Sequence, residues 1–153
     1  MGNLATIKGI LVTAIQGLPE FSSKAADVHA HRAVQPENEQ EQIASKLTGL
    51  SAFVSIERVQ KGKDNRILKK PTAIVELWIN THSAADAADG AEDLLEGAIA
   101  ALENLTTTTP EMACQYKTTF EDAYVVNDAP SPFLVYRLII TTNTIITNSS
   151  ISI

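Results

Sequence analysis

Between Thr72 and Ile79 the residues of one parity, Ala73, Val75, Leu77 and Ile79, are all apolar, while Thr72, Ile74, Glu76 and Trp78 occupy the other. A period of two puts alternate residues on opposite sides only in a β-strand, so this stretch is constrained to be one. Its partner lies upstream. Residues 51–60 (SAFVSIERVQ) are rich in β-branched and apolar positions, and Lys61-Gly62-Lys63-Asp64-Asn65 supplies turn chemistry, so a long hairpin is expected over 51–81. Pro71 cannot donate a ladder hydrogen bond, which places the residues before it outside the main sheet or along an edge. Residues 116–126 and 133–142, separated by Asn127-Asp128-Ala129-Pro130-Ser131-Pro132, read as a second hairpin.

Two helices alternate with these hairpins. Leu4, Ile7, Ile10, Leu11, Ala14, Ile15 and Leu18 recur at three- and four-residue steps, with Asn3 placed to cap the start and Gly17 and Pro19 to stop the helix. In residues 84–105, Ala87, Ala91, Leu94, Leu95, Ala98, Leu102 and Leu105 share one face. Ser83 and Asp86 form a capping box, and the run from Thr106 to Pro110 ends the helix. The order helix, hairpin, helix, hairpin predicts an α+β fold: an antiparallel or mixed sheet of about four strands, two helices on one face, and a long projecting hairpin. Residues 19–50 are the least regular part, read as a surface loop or partner-binding arm with a short helix near 39–47, and residues 143–153 as a flexible tail.

With 153 residues, 44% hydrophobic and 20% charged, the chain has the size and composition of one ordinary globular domain, which argues against global disorder. No apolar run reaches the roughly 20 residues that span a bilayer, and Lys8 sits amid the first apolar stretch rather than before it, so neither an anchor nor a signal peptide is expected. The lone Cys114 reads as a small core residue, and the glycosylation tripeptides at Asn104 and Asn148 as chance matches, which favours folding in the cytoplasm.

Catalytic signatures are missing from the sequence. Neither phosphate-binding glycine loop occurs, nor does a G-x-S-x-G elbow. Asp27-x-His29-x-His31 offers a carboxylate and two imidazoles that could bind a transition metal, but alternating positions share a face only in an extended segment and zinc sites need three or four placed ligands; a solvated loop is the simpler reading. Pairing Cys114 with a histidine has nothing specific to support it. The chain is therefore expected to be no enzyme and to carry no cofactor or resident metal.

Charge is more informative. Arg58, Lys61, Lys63, Arg66, Lys69 and Lys70 crowd the first hairpin, whereas the second helix carries Asp86, Asp89, Glu92, Asp93, Glu96 and Glu103 with no basic residue. Asp89, Asp93, Glu96 and Glu103 fall on one stripe opposite the apolar face. A chain with two such patches can pair its basic hairpin with the acidic helix of another copy, head to tail, and close into a ring. This makes Arg58, Lys61, Lys63, Arg66, Lys69, Lys70, Asp86, Asp89, Asp93 and Glu96 the expected subunit-interface residues. Two alternatives are ordinary solvated faces and a nucleic-acid-binding module whose basic hairpin meets phosphates; the net charge of −6 disfavours the latter.

The amphipathic opening helix at 4–18, the long hairpin at 51–81, the alanine-rich helix at 84–105 and the final hairpin ending PFLVYRLIITT together resemble the tail-terminator (tail-completion) proteins of long-tailed bacteriophages. The likeness covers residues 3–142 and rests on element order and size. It implies a virion structural protein forming a ring, usually a hexamer, that caps the tail tube, stops its polymerisation and meets the head-tail connector and neck proteins. By the same likeness the subunit is made in the host bacterial cytoplasm and ends in the virion tail or neck, away from membranes, with DNA traversing the ring without specific binding. Another phage neck ring, a head-completion or connector protein, is the nearest alternative. Residues 19–50 and the Ile-rich tail depart from the family's pattern.

Overall fold

The computed structural model describes residues 3–21, 28–30, 49–62, 68–82, 89–107, 116–129 and 132–146. Helix α1 (Asn3–Gln16) forms where the three- and four-residue apolar steps predict, burying Ile7, Leu11 and Ile15. Asn3 is its first residue, and the Asn3 side-chain amide Nδ2 donates to the Ile145 carbonyl at 2.7 Å, tying the helix to the far end of the chain. Beyond Gly17 the chain makes one 3₁₀ turn, Pro19–Phe21, which drives Phe21 fully into the core.

Residues 19–50 therefore correct the expectation of an irregular surface arm in two places. Phe21 is a core residue, and strand β1 (Val28–Ala30) pairs in parallel with β2 (Leu50–Lys61), Val28 opposite Ala52. The suggested helix near 39–47 lies outside the described residues. The missed strand is three residues long and flanked by charge, so no period could announce it.

Strands β2 and β3 (Leu68–Asn80) form the predicted hairpin, with a register shift between Ile56 and Arg58. That bulge marks a change of environment: up to Val54 the strand is buried, whereas Glu57 to Lys61 is exposed. On its other side β3 pairs with β5 (Phe133–Thr141), from Asn80 opposite Phe133 to Thr72 opposite Thr141. The ladder then lapses at Pro71 and resumes in the same register, Lys69 opposite Thr144 and Leu68 opposite Ile145, as β6 (Thr144–Ile145). In effect β5 and β6 are one strand, interrupted where Pro71 has no N–H, although its carbonyl still accepts from Thr142 N at 3.3 Å. The residues before Pro71 are thus paired on both sides, contrary to their expected place outside the sheet. The start of the tail is likewise docked rather than frayed, with Thr144 fully buried.

Strand β4 (Thr119–Val125) completes a mixed six-stranded sheet in the order β1-β2-β3-β5-β4, with β6 beside β3, two strands more than expected. Helix α2 (Ala91–Leu102) is shorter at its described end than residues 84–105 suggested. Ser83 and Asp86 lie outside the described residues, and the residue at the N-cap of Ala91–Leu102 is Gly90, with no side-chain cap. At the other end Asn104 adopts φ 60°, so Leu105 leaves the helix. Thr118 explains the stop. Its Oγ1 donates to the Leu102 carbonyl at 2.6 Å and accepts from Leu105 N at 2.8 Å, while its backbone pairs with Asn104 and Leu105. Sequence periodicity cannot register a cap delivered to Leu102 from sixteen residues away.

Both helices cover one face of the sheet. Ile7, Leu11, Leu94 and Leu102 share a core with Ala52, Val54, Val75, Leu77, Leu138 and Ile140. Deleting buried methylenes in such a core typically costs about 2–5 kcal/mol, so Leu11→Ala should lower the unfolding free energy by that amount, read in urea as a lower midpoint at unchanged slope. Thr118→Val keeps the shape but orphans the Leu102 carbonyl and the Leu105 amide. It should cost about 1–3 kcal/mol in the same measurement.

Candidate functional site

The strand face turned away from the helices has three zones. At one end Phe53, Trp78, Phe133 and Val135 form a second apolar cluster, with Phe53 and Phe133 edge-on to Trp78 at 5.8 and 5.3 Å. Of the two large apolar residues on this side of β3, Trp78 is 3% exposed and serves this cluster, and Ile74 is half-buried. His29, in β1, stacks on Phe53 at 5.4 Å; Asp27 and His31 lie outside the described residues, as does Cys114. Among the described residues no group of three His, Cys, Asp or Glu could hold a metal ion.

In the middle, Glu76 and Arg137 stand directly opposite on β3 and β5. Glu76 is only 7% exposed, and Arg137 reaches its Oε2 through Nε at 2.7 Å and Nη2 at 2.6 Å, while Trp78 Nε1 donates to Oε1 at 3.1 Å. Burial would depress the Arg137 guanidinium, but hydrogen bonds to Tyr124 and Glu76, with the Glu76 charge, hold its pKa above the ordinary value. The pair is an internal device of the sheet, since each partner satisfies the other.

The third zone is basic. In the distal hairpin the register puts Arg58 and Lys70 on this face and Lys61 and Lys69 on the other, directly opposite each other, a like-charge pairing that is unfavourable in isolation. Lys63 and Arg66 lie outside the described residues. One residue joins that the hairpin sequence could not reveal. Because β4 pairs with β5, and β5 with β3, Thr119 and Thr72 both stand opposite Thr141, which brings Lys117 to the same end of the sheet. Lys61, Lys70 and Lys117 border a cleft of about 400 Å³ with Thr119, Thr141 and Asn143. Its floor is fixed by threonines: Thr142 Oγ1 lies 3.1 Å from the Lys117 carbonyl and 3.0 Å from Thr107 Oγ1. Glu121 is the one carboxylate of the lining, and it accepts from Thr141 Oγ1 at 2.9 Å.

The acidic residues lie elsewhere. Asp89, Glu92, Asp93, Glu96 and Glu103 are all exposed, and α2, which packs beside α1, contains no basic residue among its twelve. Asp86 falls outside the described residues. No described ion pair joins these carboxylates to Arg58, Lys61, Lys70 or Lys117. Two patches of opposite sign thus coexist on one chain without neutralising each other. Among the described residues no helix is long and apolar enough to cross a membrane.

Comparison with known proteins finds no family model that matches the chain and no curated protein that matches its sequence.

Removing Arg137 leaves the nearly buried Glu76 carboxylate without its cationic partner, so Arg137→Ala should destabilise the fold by about 2 kcal/mol. Replacing both, Glu76→Leu with Arg137→Leu, should recover most of that loss in urea unfolding, because two apolar side chains need no partners.

Proposed function

We propose that the protein is a virion structural subunit of the tail-terminator kind, which assembles into a ring on the end of a phage tail tube and joins it to the neck. The observation that supports this reading is the segregation of charge within one chain. Among the described residues, Arg58 and Lys61 of the β2–β3 hairpin and the acidic residues of α2 are exposed, and no ion pair joins the two groups. A pair of complementary patches on one subunit makes a heterologous contact, and such contacts close into rings when the rotation per step divides the circle. In this reading the distal hairpin, with Val59 40% exposed, is the projecting arm that reaches the neighbour.

Exposed charge pairs contribute only about 0.2–1 kcal/mol each, so charge sets orientation and register and apolar surface supplies most of the affinity. Tyr124 and Val125, exposed on the edge strand β4, offer part of that surface. The ring acts by association alone, without catalysis or cofactor, and its partners are copies of itself, the tail tube protein and the neck proteins. A head-completion or connector ring is the second reading, since it makes the same demand for subunit contacts.

Light scattering with electron microscopy on the purified protein tests the proposal. Rings of several subunits at low salt, falling apart as salt screens the contact, are the expected result. A monomer at every concentration and in the presence of tail tubes refutes it. Lys61→Glu with Lys63→Glu should impair the rings, and Asp93→Lys with Glu96→Lys in the same chain should partly restore them.

A further inference from the structure

We propose that the cleft between Lys61, Lys70 and Lys117 is an oxyanion socket that receives α2 carboxylates of a second copy of this chain. The inference rests on the ring reading and gives it a specific contact. Three lysines from three separate segments line one concavity, and the one carboxylate among its described lining residues, Glu121, accepts a hydrogen bond from Thr141 and offsets only part of their charge. Gathering like charges around a concave polar site is unfavourable in the free chain and becomes favourable when an anion enters.

The chain's own acidic helix does not supply that anion, because none of the α2 carboxylates borders the cleft. Yet their spacing suits one. Asp93 and Glu96 sit three residues apart on the exposed side of α2, and with Glu103 they extend a stripe of roughly 15 Å along a convex rod. Lys117 has a backbone held in advance, by its bridge to Thr106 and by Thr142 at its carbonyl, so docking costs little ordering there. A phosphate group offers the same oxyanion chemistry, and the net charge of −6 opposes a polyanion and a second copy alike. The second copy is favoured because the same chain exposes a matching carboxylate stripe on α2.

The test mixes ordinary and isotope-labelled protein at low salt, couples neighbouring ammonium and carboxylate groups with a carbodiimide, and identifies the linked peptides by mass. Amide links joining labelled to unlabelled chains between Lys61, Lys70 or Lys117 and Asp93 or Glu96 are expected. Lys117→Glu should weaken self-association about tenfold, as a close attraction becomes a repulsion, while Lys117→Gln should fall between. Glu96→Lys in the Lys117→Glu chain should regain part of the loss. Since Lys117 is exposed and its backbone bonds survive substitution, an unchanged urea midpoint confirms that the fold is intact. If wild-type rings form but Lys117→Glu assembles equally well, or the links avoid these lysines, the socket is refuted and the ring reading stands. If no multimer forms under any condition, both fail. Binding of duplex DNA that depends on Lys117, by a protein that stays monomeric, overturns the proposal in favour of phosphate.

Discussion

Strand β3 is the member on which the rest of the structure depends. It is hydrogen-bonded along one edge to β2 and along the other to β5 and then β6, and the second register survives the missing donor at Pro71. A strand paired on both edges fixes the relative position of every other element, because a slip of one residue would exchange its two faces. Here that slip would turn Ala73, Val75, Leu77 and Ile79 away from the helices and bring Glu76 into the core in their place.

The two faces of β3 have different duties. Toward the helices the sheet is uniformly apolar, and packing there provides the bulk of the stability. The opposite face is graded along its length: aromatic cluster, buried ion pair, then threonines and lysines. The Glu76–Arg137 pair separates the dry end from the wet one. Its hydrogen bonds cross the ladder and tie β3 to β5.

Charge segregation follows from topology as much as composition. The hairpin gathers cations because its two strands carry them opposite each other, and the β4–β5 pairing adds Lys117 from a different part of the chain. Meanwhile α2 keeps its carboxylates on the solvent side of the helical layer. Among the described residues no ion pair joins the two surfaces, which is the feature on which the proposed association between copies rests.

The sequence by itself determined the elements whose period is written in apolar residues: α1, the described part of α2, both hairpins, and the parity that sends Val75 and Leu77 to the core. It also marked the basic hairpin and the acidic helix, because those charges are local runs. What only the tertiary structure decided are the features made by residues distant in sequence. Strand β1 is defined by its parallel neighbour, β6 by a register inherited across Pro71, and the end of α2 by a threonine on the approach to β4. The cleft belongs to the same class: Lys117 carries no local signal of its partnership with Lys61 and Lys70, and acquires it through two successive antiparallel registers. Local periodicity reports which side of an element is buried. Which elements become neighbours is settled by long-range pairing, and in this chain the candidate site lies at such a meeting.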